Sequence, residues 1–132
     1  IGLLAHNTHA GYAFSEIEVN DIIYLIESNG QLKAYSVTEI QRYQALNPTS
    51  PYSNFINLQA PGSTLSAQSL FLNTYGRGNV LILQTCIEKN GDPSWGRLFV
   101  IAEPLDKIPV LSLENLAFPV FLQYTVDAIQ IN

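Results

Sequence analysis

The stretch from Asn79 to Glu103 constrains this chain most. It holds two apolar runs, Asn79 to Ile87 (NVLILQTCI) and Arg97 to Glu103 (RLFVIAE), joined by Glu88 to Gly96 (EKNGDPSWG), which is full of turn-forming residues. Short apolar runs rich in Val, Ile, Leu and Phe and bounded by turn chemistry are strands. The rest of the chain follows that pattern. Residues 1–5 (IGLLA) are an apolar run ending at His6, and Asp21 to Glu27 (DIIYLIE) ends at the hairpin signal Ser28-Asn29-Gly30. In Leu32 to Gln44, Leu32, Ala34 and Ser36 alternate against Lys33, Tyr35 and Val37, which predicts a strand suited to a sheet edge. Residues 45–64 carry Asn-Pro-Thr-Ser-Pro and Ala-Pro-Gly-Ser-Thr clusters and read as one long loop. Ser66 to Tyr75 predicts a short helix stopped by Gly76. The tail, 104–132, adds two apolar runs of strand-like composition, IPVLSL and FPVFLQYTVDAIQI. Many short strands and few helical patterns predict an all-β barrel or sandwich, in one domain spanning 1–132.

Composition narrows the function. With 47% hydrophobic and 13% charged residues the chain has the makings of a packed core, which excludes disorder. A net charge of −5, with six basic residues scattered singly, excludes a nucleic-acid backbone as partner. Cys86 is the sole cysteine, so no internal disulfide forms, and with only His6 and His9 beside it no structural zinc site is expected. Asp92 and Glu88 are too few for calcium. No metal and no cofactor is therefore expected. No run approaches the roughly 20 apolar residues that span a bilayer. The sequence opens inside an apolar run, as a trimmed fragment would, so any membrane anchor is expected to lie outside it.

Three features bear on chemistry: His6 in Leu4-Ala5-His6-Asn7, Cys86 in Leu83-Gln84-Thr85-Cys86, and Arg97, which opens the run after the cysteine run. Alone, each has an ordinary explanation: a surface histidine, a small buried thiol, a solvated charge. Together, as LLAHN, ILQTC and GRLFV in that order, they resemble the sortase family, which has a His in an LAGH-type motif, a Cys in a TLxTC-type motif and an Arg at the start of the final barrel strand. Gly11, Phe14 and Val19-Asn20-Asp21-Ile22 fall where that family has a short helical segment and a turn into a strand. The resemblance covers about residues 3–103. Ala5 replaces the usual Gly and Ile82 the usual Thr, and the strands that precede the His strand in that family have no counterpart here. The implied fold is a sortase-like closed β-barrel with short helices, its first strands missing from this chain or supplied otherwise.

The resemblance implies a cysteine transpeptidase. A thiol with an ordinary pKa of about 8.5 attacks as its thiolate. Here Cys86 would be the nucleophile. His6 would protonate the leaving amine and deprotonate the incoming one. Arg97, with its permanent charge and rigid donor fork, would stabilise the oxyanion, a contribution of about 3 kcal/mol for one such donor. His6 is preferred to His9 for its place at the strand end, and Arg97 to Arg77, which precedes the cysteine strand. The implied partners are an LPxTG-like sorting signal, cut between Thr and Gly, and an amine from peptidoglycan or a pilin lysine. Thr85 and Trp95 would line the substrate groove, and the 45–64 segment sits where that family varies its specificity. The implied location is the extracytoplasmic cell surface. The main alternative is a non-catalytic sortase-like module that binds peptide; an unrelated β-rich structural protein with a core thiol is the other.

Overall fold

In a computed structural model of the protein, which describes residues 1–107, strands dominate. In chain order they are β1 (Gly2–Leu4), β2 (Ile22–Ile26), β3 (Leu32–Ala45), β4 (Asn54–Asn57), β5 (Thr64–Ser66), β6 (Leu81–Lys89) and β7 (Asp92–Pro104). A 3-10 helix, Ala10–Glu16, follows β1, and one α-helix, α1 (Ala67–Tyr75), precedes β6. The strands form one curled sheet in the order β1-β6-β7-β3-β4-β5, with β2 also paired to β3. Among the described residues this order does not close on itself. The expected all-β class with short helices holds, and the apolar runs beyond residue 107 lie outside the described residues.

The β6–β7 hairpin is the spine. Its turn is tighter than its composition suggests: the strands reach Lys89 and Asp92, leaving Asn90 and Gly91 at φ of 55° and 81°. Two consecutive positive φ values mark a two-residue hairpin turn for which Asn-Gly is the favoured pair. The predicted loop Glu88–Gly96 is therefore mostly strand. A register shift between Ile87 and Lys89 absorbs its surplus residues as a bulge on β7. Cys86 and Arg97 accordingly sit inside the hairpin, three residues short of the β6 end and five residues into β7, rather than at strand ends.

β3 corrects a second expectation. It is an interior strand, flanked by β7 on one side and by β2 and then β4 on the other. Its register against β7 slips between Val37 and Glu39, and the bulge reverses which residues face which way. Tyr35 and Val37 enter one core with Ile23, Leu25, Leu81, Leu83, Leu98 and Val100, capped by Phe14 and Ile17. Past the bulge Tyr43 and Ala45 enter a second core with Ile82, Phe99, Ile101, Phe55 and Leu70 on the opposite face. A strand buried on both faces needs no strict polar alternation, which is why the edge reading fails. Within 45–64, β4 and the start of β5 replace part of the predicted loop, because Phe55 and Leu65 have an apolar face to cover.

Helix α1 lies over the second core. Ser66 caps it, its hydroxyl accepting from the Ser69 amide at 3.1 Å, and Gly76 ends it, donating to the Leu72 carbonyl at 3.0 Å. Leu70 and Thr74 face inward and Tyr75 leans on Phe99.

Candidate active site

Ladder register fixes where the three singled-out residues stand. Cys86 pairs with Arg97 directly across the β6–β7 ladder, and Arg97 pairs with Tyr43 across β7–β3. Residues opposite one another in antiparallel strands project to the same face, with Cα atoms about 4.5–5.5 Å apart. Tyr43, Arg97 and Cys86 thus form a row across three strands on the face that carries the second core. β1 runs parallel to β6 on its other side, pairing Gly2, Leu3 and Leu4 with Ile82, Leu83 and Gln84. The last bond of that alignment is Ala5 N–H to the Gln84 carbonyl at 3.1 Å. His6 is two residues past Leu4, as Cys86 is two past Gln84. The chain leaves the sheet at His6, level with the end of the row.

That departure is tightly fastened. The His6 carbonyl accepts from both the His9 and Gly11 amides at 3.0 Å. The buried Thr85 hydroxyl donates to the Ala5 carbonyl at 2.8 Å. Asn7 reaches over β6 and donates from Nδ2 to the Pro93 carbonyl at 3.1 Å. Gly11 is buried in this knot: a Cβ there would press on the Thr85 hydroxyl and come within 2.7 Å of the Ala5 and His6 carbonyl oxygens. All these bonds hold backbone. The His6 ring has no hydrogen-bond partner among the described residues; it is exposed and stands edge-on to the His9 ring, centroids 6.5 Å apart. His9 in turn bonds the Thr8 hydroxyl through Nδ1 at 3.0 Å.

Arg97 is half-buried and anchored at one end of its guanidinium. Nη1 donates to the Ser94 and Gly96 carbonyls at 2.8 and 2.9 Å, and Nη2 approaches the Pro48 carbonyl at 3.5 Å. Of five N–H groups, Nε–H and one on Nη2 remain uncommitted to the protein. Arg77, by contrast, bonds the Asn73 carbonyl and pairs with Glu39, far from the cysteine in the ladder. Burial pushes the Glu39 carboxyl up, but hydrogen bonds from Gln41 and Arg77, with the charge of Arg77, hold it below its ordinary value. Gln41 links this pair to Tyr43, whose hydroxyl donates to Gln41 Oε1 at 3.1 Å. Further along the same face burial pushes the Tyr75 phenol up to about 12.

The two residues expected to line a groove have other settings. Thr85 is 4% exposed and its hydroxyl is spent on Ala5. Trp95 is half-buried, with the Lys89 ammonium 4.5 Å from its ring centroid. Cys86 is half-buried and free, and it borders a cleft of about 380 Å³ with Asn7, Tyr12, Arg42, Leu58 and Leu98 among its walls; Arg42 and Leu98 belong to the first-core face of the sheet, opposite the one that carries Arg97. Sequence reasoning passed over these wall residues. Asn7 sat inside the quoted His6 segment, Tyr12 lay between the named Gly11 and Phe14, and Leu58 lay in the segment read as loop, so only the fold could bring them to the cleft. Among the described residues no group of three or more His, Cys, Asp or Glu side chains is placed to hold a metal.

No family model matches the chain, and no curated protein does. Among solved structures it is similar to a complex of Streptococcus agalactiae sortase C1 with MTSET, at 17% identity and a TM-score of 0.47, over 81% of this chain and 45% of that one. It is likewise similar to sortase C1 of GBS Pilus Island 1, at 17% identity and a TM-score of 0.47, over 82% of this chain and 44% of that one. The chain thus spans less than half the length of these proteins.

Proposed function

We propose that this domain is a sortase-type cysteine transpeptidase in which Cys86 is the nucleophile, His6 the acid/base and Arg97 the oxyanion donor. The supporting observation is the register: Arg97 is the direct cross-strand partner of Cys86, and the β1 alignment delivers His6 to the other side of the same residue. In the reaction the Cys86 thiolate attacks the carbonyl carbon of a sorting-signal peptide of the LPxTG kind. The oxygen gains negative charge and takes hydrogen bonds from the uncommitted N–H groups of Arg97. The C–N bond then breaks, His6 gives its proton to the departing amine, and a thioester remains on Sγ. An incoming amine, from peptidoglycan or a pilin lysine, loses its proton to His6 and displaces the thiolate. An exposed His6 ring free of hydrogen bonds is able to turn toward either amine. Trp95 stays in the proposal as a wall of the peptide groove. Thr85 moves from peptide contact to holding the His6 strand end. The setting would be the outer cell surface.

The test is labelling with a peptidyl vinyl sulfone built on an LPxTG-type sequence. Wild-type protein is expected to take up one equivalent at Cys86 well above the rate of a free peptide thiol, and His6→Ala and Arg97→Ala to lose most of that rate. Labelling no faster than a free thiol overturns the catalytic reading and leaves a peptide-binding module of the same fold.

A further inference from the structure

The bulge at the base of β7 connects the histidine and the arginine of the proposed site. The ladder pairs Lys89 with Asp92 and then resumes at Ile87 with Gly96, so the carbonyls between fall out of strand pairing. Carbonyls released from a ladder need other partners, from side chains or water. Two side chains supply them from opposite directions: Arg97 Nη1 bonds the Ser94 and Gly96 carbonyls, and Asn7 Nδ2 bonds the Pro93 carbonyl. Because a carbonyl only accepts, this contact also fixes which way the Asn7 amide faces. Asn7 is the next residue after His6, and the His6 carbonyl is itself held by the His9 and Gly11 amides. The chain path His6–Asn7–Pro93–Ser94–Arg97 is therefore a clamp laid across β6, open between the His6 and Arg97 side chains, with Cys86 on the clamped strand.

We infer that Asn7 is a positioning residue: its hydrogen bond to the Pro93 carbonyl sets the His6 turn relative to the Arg97 guanidinium across Cys86. This rests on the transpeptidase reading above. The bond is exposed and single, so it adds little to global stability. Its effect falls on geometry, where displacement by about an ångström lowers a rate by as much as a hundredfold. A residue that instead contacted peptide within the cleft would act on KM.

The test compares wild type with Asn7→Asp, which keeps the shape but loses the donor, and with Asn7→Ala. The readouts are kcat and KM on an internally quenched LPxTG-type peptide with hydroxylamine as acceptor, thermal unfolding, and amide hydrogen exchange. Both variants are expected to lower kcat at least tenfold with KM within about twofold and Tm nearly unchanged. Exchange is expected to quicken together at His9, Gly11 and the 94–97 segment, and nowhere in the β2–β3 hairpin. Wild-type kcat in both variants, or a raised KM at constant kcat, overturns the inference while leaving the transpeptidase reading intact. Unchanged exchange at His9 and Gly11 overturns the clamp whatever the kinetics. A wild type inert toward both the peptide and the vinyl sulfone overturns the transpeptidase reading instead, and with it the catalytic consequence of Asn7, while the exchange result still decides the clamp.

Discussion

Replacing Gly11 with Ala tests how firmly the His6 turn is held. Gly11 is buried, and its φ lies outside the left-handed region, so the demand for glycine is steric. An added methyl would meet the Thr85 hydroxyl and stand 2.7 Å from each of the Ala5 and His6 carbonyl oxygens. The hydroxyl escapes by rotating, at the cost of its bond to Ala5, worth about 1 kcal/mol. The carbonyls belong to the backbone and move only if the turn moves, and overpacking of this kind costs about 1–3 kcal/mol. The expected total is about 2–4 kcal/mol, which at about 4 °C per kcal/mol for a domain of this size lowers Tm by about 8–16 °C. Scanning calorimetry reads this directly. The reasoning also requires that Gly11→Ala and Thr85→Ala be coupled: the double variant should lose about 1 kcal/mol less than the sum, since the first clash has been removed. A Tm drop below about 2 °C for Gly11→Ala, or strict additivity in the double variant, refutes the packing argument.

Two further outcomes follow from the second core. The Tyr75 phenol, raised from 10.0 to about 12 by burial and donating to Gln84 Oε1 at 2.6 Å, holds its proton more tightly folded than unfolded. Its contribution is therefore whole below pH 10 and lost as pH rises toward 12, so Tyr75→Phe is expected to flatten the alkaline fall in stability and to remove the highest phenol step from an ultraviolet titration. Ser66→Ala removes the α1 cap and is expected to cost about 1 kcal/mol, read as a lowered urea midpoint at constant m-value.

The strands of the sequence reading survive where local chemistry decides them. Asp21 to Glu27 with Ser28-Asn29-Gly30 gives the β2–β3 hairpin, and Ser66 and Gly76 bound α1 as their capping chemistry dictates. The failures came where partners decide. The β6–β7 junction is crowded with turn residues, but the Asn90-Gly91 pair alone makes the turn and a bulge disposes of the rest. The two-faced burial of β3 depends on neighbours that alternation in one strand does not reveal. At the candidate site, the spacing of His6, Cys86 and Arg97 was visible in the chain, but the parallel β1–β6 alignment, which brings the residues just before His6 alongside those just before Cys86, spans about 80 residues and left no local mark. Thr85 shows the same limit: its motif position pointed to the groove, and only the strand pleat shows that it turns inward to Ala5.

Transpeptidation by this domain requires that Cys86 form a thioester. Intact-mass spectrometry of the protein incubated with an LPxTG-type peptide, quenched in acid, measures it. The expected result is an adduct of the peptide's acyl portion on Cys86, discharged by hydroxylamine, absent in Cys86→Ala and strongly reduced in His6→Ala and Arg97→Ala. An unmodified Cys86 under conditions where the peptide is bound, or an adduct formed equally well without His6, would contradict it.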